Sequence, residues 1–85
     1  MPAKHLIVDK SLRRQLLKIP LPIHQRIIKA LNSIKVNPVS GIKLHGELKN
    51  YYKFRVGDYR IVYKFNPQES LVQIVKIEHR QGVYK

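Results

Sequence analysis

Between Tyr51 and Phe65 the chain reads YYKFRVGDYRIVYKF. Tyr52, Phe54 and Val56, then Tyr59, Ile61 and Tyr63, alternate with residues that are mostly cationic. A period of two is the mark of strands with one buried face. Gly57-Asp58 at the centre is a two-residue turn, and glycine in first place favours type II′ geometry. This turn sets Val56 opposite Tyr59, Arg55 opposite Arg60, Phe54 opposite Ile61 and Lys53 opposite Val62. The six apolar and aromatic residues then share the core face, while Lys53, Arg55, Arg60 and Lys64 share the other.

Upstream the period lengthens. Leu12, Leu16 and Ile19 recur at helical spacing after Asp9, a natural N-cap, and Ile19-Pro20-Leu21-Pro22 ends that helix. Pro22 also suits the first turn of a second helix. Its apolar stripe is Ile23, Ile27, Ala30, Leu31 and Ile34, with Gln25, Arg26, Lys29 and Lys35 facing away, and Asn37-Pro38 stops it. The β-branched run HLIV, His5 to Val8, predicts a first strand. LVQIVKIE, Leu71 to Glu78, predicts a last strand whose faces the pattern leaves unassigned, because both contain apolar residues; a central strand covered on both sides would read this way. Residues 39–50 read as a connection. Their Gly41 and Gly46 have phosphate-loop spacing, but Glu47-Leu48 follows where Lys-Ser/Thr is required, which excludes that motif.

The expected fold is therefore α+β, in the order β-α-α-β-β-β, as one domain spanning residues 1–85. An N-terminal strand and a two-helix hairpin pack on one face of a mostly antiparallel sheet, leaving the other face at least partly open.

Composition narrows the class. Eighty-five residues suffice for one small core, and 44% hydrophobic content excludes a disordered polymer. With no cysteine there is neither a disulfide frame nor a thiolate metal site. No apolar run approaches a membrane span or a signal-peptide core, so the expectation is a soluble, cytoplasmic protein. Charge changes the picture most. Seventeen Lys and Arg against five Asp and Glu give a net +12, which repels itself and favours an extended anion as partner. Nucleic acid comes first and an acidic protein second. A membrane surface fits less well, since neither helix joins a basic face to bulky aromatic anchors.

Arg55 directly opposite Arg60 is a like-charge cross-strand pair, which weakens a hairpin. Either the two guanidiniums splay into water, or Asp58 or Glu78 shields them, or the face receives a phosphate-bearing ligand. Several cations converge rather than two, and arginine's forked donors match phosphate oxygens, which favours the last. His5, His24, His45 and His79 lack metal-ligand spacing, so no metal or cofactor is expected.

At this point the sequence resembles the RelE/ParE superfamily of type II toxins. Leu44-His45-Gly46 with Tyr52-Lys53-Phe54-Arg55-Val56-Gly57-Asp58-Tyr59-Arg60-Ile61-Val62-Tyr63 is similar to the family's core hairpin. Ile77-Glu78-His79-Arg80 with Val83-Tyr84 is similar to its C-terminal signature. RelE-type members are ribosome-dependent endoribonucleases that cut mRNA in the A site; ParE-type members share the fold, inhibit DNA gyrase and generally lack the full basic and tyrosine set. The resemblance implies catalytic roles for Lys53, Arg55, Arg60, Arg80 and Tyr84, and RNA contacts for Lys49, Lys64, His79 and Lys85. Arg55 stands where some RelE-type enzymes have a second lysine. Arginine does not give up a proton, which leaves Lys53 as the candidate base. The resemblance also implies the ribosome and mRNA as partners, an acidic RelB-type antitoxin, and a toxin–antitoxin hetero-oligomer. The alternatives are a ParE-like gyrase inhibitor and a non-catalytic RNA-binding protein.

Overall fold

The computed structural model describes residues 2–44, 46 and 50–79. Among the described residues seven elements follow one another: β1 (His5–Val8), α1 (Lys10–Leu17), α2 (Leu21–Val36), β2 (Ile42–Lys43), β3 (Tyr51–Val56), β4 (Tyr59–Asn66) and β5 (Leu71–His79). The five strands form one mixed sheet in the order β1-β5-β4-β3-β2, with β1 parallel to β5 and the other neighbours antiparallel. Both helices lie on one face, giving the α+β arrangement that the periodicity predicts. The strand β2 is the addition. It pairs Ile42 with Lys53 and Lys43 with Tyr52 inside the segment read as a connection, and two residues are too few to show an alternation.

Local chemistry fixes the helix ends. Asp9 adopts extended backbone and its carboxylate accepts from the Leu12 amide at 2.9 Å and from the Ser11 hydroxyl at 2.9 Å, filling the N-cap role. Pro22 lies in the first turn of α2, where a missing amide hydrogen costs no intrahelical bond. The half-buried His24 serves the same end of the helical hairpin. Its Nδ1 lies 2.7 Å from the Leu16 carbonyl, so that nitrogen donates and satisfies an acceptor near the end of α1.

Leu12, Leu16, Ile27, Ala30, Leu31 and Ile34 from the helices meet Tyr52, Val56, Ile61, Tyr63, Val72, Ile74 and Ile77 from the sheet. Tyr63 lies fully buried at their edge. Its hydroxyl donates to the Pro38 carbonyl at 2.7 Å and accepts from the Gly41 amide at 3.1 Å, tying the α2–β2 connection to the sheet. A Cβ on Gly41 would stand 2.7 Å from the Lys53 carbonyl oxygen, so only glycine fits under that contact. Burial of the phenol pushes its pKa above the usual tyrosine value, partly offset by the Gly41 bond.

The last strand has the facing that the sequence leaves unassigned. It is central, between β1 and β4, but it is not covered on both sides: Gln73, Val75 and Lys76 are exposed. Val62 pairs with Lys76 while Tyr63 pairs with Ile74, so Val75 is an extra residue bulged out of the ladder. The bulge flips the phase, placing Val72 and Ile74 inward before it and Ile77 inward after it.

Candidate nucleic-acid interface

The hairpin register puts Tyr51 opposite Lys64, Lys53 opposite Val62 and Arg55 opposite Arg60, around a turn in which Gly57 has φ +58°. Asp58 is not in the positive-φ region, which is the type II′ pattern. Lys53, Arg55, Arg60 and Lys64 therefore project from the face turned away from the helices. Carrying the register into β5 extends two rows: Arg55–Arg60–Glu78 and Lys53–Val62–Lys76. Neighbouring strands lie about 5 Å apart and same-face residues on a strand roughly 7 Å apart, so these side chains stem from a small patch.

The like-charge pair is relieved in two directions. Arg55 is exposed, and its Nε donates to the Gly57 carbonyl at 3.1 Å, folding it toward the turn. Arg60 leans the other way, and its Nη2 donates to Glu78 Oε1 at 3.1 Å. That contact is the ion pair found among the described residues, with the two side chains 38% and 28% exposed. The Arg60 Nε is buried and has no hydrogen-bond partner, so the carboxylate engages the guanidinium at one point rather than as a bidentate fork. Lys64 stands with its ammonium 5.8 Å from the centroid of the Tyr51 ring, a cation–π contact that holds its charge on the same face.

The sequence-predicted site residues divide three ways. Lys53, Arg55, Arg60 and Lys64 come together on the open face. His79 lies at the end of β5 in register with Tyr59, on the helix side of the sheet, its ring edge-on to Tyr59 with centroids 4.7 Å apart. Lys49, Arg80, Tyr84 and Lys85 lie outside the described residues. Two cations went unassigned in the sequence. Lys76 joins the Lys53 row, but the Val75 bulge hides its facing. Arg26 of α2 packs beside the hairpin turn, its Nη1 3.4 Å from where a Cβ on Gly57 would lie, and no linear pattern connects a helix residue to that turn. An array of cations on a solvent-facing sheet can hold phosphates and neutralise charge that develops on one of them.

Known proteins share this fold. The family described as ParE toxin of the type II toxin–antitoxin system, parDE, matches residues 6–84. Toxin RelG of Mycobacterium tuberculosis is 29% identical over 75 residues, 86% of each chain. Among solved structures, a chain of the RelBE2 toxin–antitoxin complex of Mycobacterium tuberculosis superposes with TM-score 0.79 at 26% identity, covering 94% of this chain and all of that one. A chain of the archaeal RelE–RelB complex from Pyrococcus horikoshii gives 0.80 at 27%, covering 94% and 97%. An Escherichia coli RelE mutant in the free state, 20% identical, gives 0.80 over 99% and 90%, a likeness of fold. With the family model matching residues 6–84 and these toxin chains superposing over nearly the whole length, the chain belongs to the RelE/ParE superfamily of type II toxin–antitoxin toxins.

Proposed function

We propose that this toxin is a ribosome-dependent endoribonuclease of the RelE type, cutting mRNA in the A site and so inhibiting translation. The observation that carries the reading is the gathering of Lys53, Arg55, Arg60, Lys64 and Lys76 on one solvent-facing sheet surface. The reaction needs no metal. A base takes the proton of the RNA's own 2′-hydroxyl, the 2′-oxygen attacks the adjacent phosphorus, and the 5′-oxygen leaves with a proton from a nearby donor. A cyclic phosphate and a free 5′-hydroxyl result. Lys53 is the candidate base, and Arg55 and Arg60 are the donors for the charge that builds on the phosphorane oxygens. Arg80 and Tyr84 complete the proposed set, with Lys49, Lys64 and Lys85 as RNA contacts; His79, on the helix side of the sheet against Tyr59, is set apart from this face. A ribosome that holds the mRNA in a reactive geometry supplies the positioning that so spare an acid–base set lacks.

A net charge of +12 calls for an acidic neutraliser, and similar toxins were solved as complexes with RelB antitoxins. We infer a small acidic RelB-type antitoxin covering the basic face in a hetero-oligomer.

A second reading, a ParE-like inhibitor of DNA gyrase, is favoured by the description of the matching family itself. One experiment separates the two. Purified toxin is added to a reconstituted translation system with and without ribosomes, mRNA ends are mapped, and gyrase supercoiling is assayed in parallel. Cuts at A-site codons in the ribosome arm alone are the expected result. Intact mRNA in both arms together with loss of supercoiling would replace this reading with the second.

A further inference from the structure

We propose that Glu78 is the positioning residue for Arg60 in the cleavage reaction, an inference that rests on the endoribonuclease reading above. Among the described residues Glu78 is the one carboxylate projecting from the open face of the strands, where the other formal charges belong to Lys53, Arg55, Arg60, Lys64 and Lys76. A negative charge there works against binding an anion. An ion pair this exposed also adds little to stability, so neither simple affinity nor simple stability accounts for it.

The geometry supplies another role. Arg60 stands in the middle of the Arg55–Arg60–Glu78 row, repelled from one side and drawn to the other. Its Nη2 reaches Glu78 at 3.1 Å, while Arg55 is held off by its bond to the Gly57 carbonyl. The buried Nε has no partner, so the Glu78 contact is the polar restraint that sets where this guanidinium stands on the sheet. Its exposed remainder faces the solvent side, where a phosphate arrives. A donor fixed before substrate arrives stabilises developing charge without having to reorganise. A donor free to swing binds phosphate as well or better, yet aligns with the transition state less often.

Glu78→Gln therefore separates binding from turnover. It removes the charge, keeps the size, and loosens Arg60. In the ribosome-dependent cleavage assay kcat should fall roughly tenfold, while KM falls a few-fold because the face has become more positive. Glu78→Asp keeps the charge but shortens the reach, so kcat should fall without the drop in KM. Glu69→Gln makes the same change in net charge in the β4–β5 turn, where Glu69 bonds Asn66, and should leave both constants unchanged. In an Arg60→Ala background, Glu78→Gln should cost no further turnover, since its effect runs through Arg60. A melting temperature for each variant near that of the wild type shows that the fold is kept. If wild-type toxin cuts mRNA and Glu78→Gln leaves kcat unchanged or raises it, the positioning role is wrong while the endoribonuclease reading stands. Wild-type toxin that cuts nothing overturns both.

Discussion

The two faces of the central hairpin are built from alternating residues of the same strands, yet they answer to opposite demands. On the helix side Tyr52, Val56, Ile61 and Tyr63 are buried and water is excluded. One residue away in each case, Lys53, Arg55, Arg60, Val62 and Lys64 form a surface on which cations crowd one another. Burial on the first face is what makes the second affordable: repulsion between partly solvated charges is screened, while a fully buried Ile or Tyr contributes several times as much as any one exposed pair. The contrast teaches that stability and proposed function reside on different residues of the same strands, so neighbouring substitutions should have unlike consequences.

Ile61 and Arg60 put that to the test, and the effects are the largest expected. Ile61 is fully buried, and Ile61→Ala should cost about 3 kcal/mol through lost transfer energy and a residual cavity. Chemical denaturation would show a lower midpoint, with cleavage per folded molecule unchanged. Arg60→Ala should do the reverse. Removing a preorganised donor is expected to cost ~10²–10³-fold in turnover, while the melting temperature moves little because the lost ion pair is partly exposed. Ribosome binding, measured by co-sedimentation, should persist. If both variants lost stability alike, or both lost turnover alike, the division between the faces would be wrong.

Tyr63 sharpens the comparison from the buried side. Its hydroxyl is bonded to the Pro38 carbonyl and the Gly41 amide, so Tyr63→Phe leaves two groups without that partner and should cost roughly 2 kcal/mol. The same hydroxyl makes stability depend on pH at the alkaline end. Burial raises its pKa in the folded state above the unfolded value near 10. A raised pKa means the contribution is intact below the unfolded value and is lost as pH rises through the folded one. Wild-type protein should therefore lose stability above pH 10 more steeply than Tyr63→Phe, as followed by circular dichroism. Parallel curves would show that the phenol is not the titrating group.

How much of this was legible in the sequence depends on the range of the contact. The hairpin register followed from a two-residue turn and strict alternation, and every pair from Val56–Tyr59 to Lys53–Val62 stands where those rules put it. Asp9 was legible because an N-cap is a local event within three residues. The facing of β5 was not, because one bulged residue, Val75, reverses the phase halfway and makes a half-exposed strand look buried on both sides. Lys76 and the Arg60–Glu78 contact were hidden by the same reversal: Glu78 could be named as a possible shield, but its place beside Arg60 requires the β4–β5 register. Arg26 beside the hairpin turn is a packing consequence that no linear pattern encodes.

The smallest expected effect lies farthest from both faces and marks the boundary of the comparison. Asp9 is exposed, and its carboxyl pKa is held below the ordinary 3.8, chiefly by the Leu12 amide and then by the Ser11 hydroxyl. A lowered pKa contributes stability that is present above the unfolded value and lost as pH falls through the folded one. Asparagine caps a helix about as well as aspartate but does not titrate. Asp9→Asn should thus melt within a few degrees of wild type at neutral pH and show a shallower loss of stability below pH 3.8, with cleavage untouched at neutral pH. The matched neutral-pH melts confirm that the cap survives, and the difference between the two acid limbs isolates the charge. Coincident acid limbs would mean that the capping bonds do not favour the carboxylate over the protonated acid, and the helix start would then owe its stability to shape and hydrogen bonding without a charge contribution.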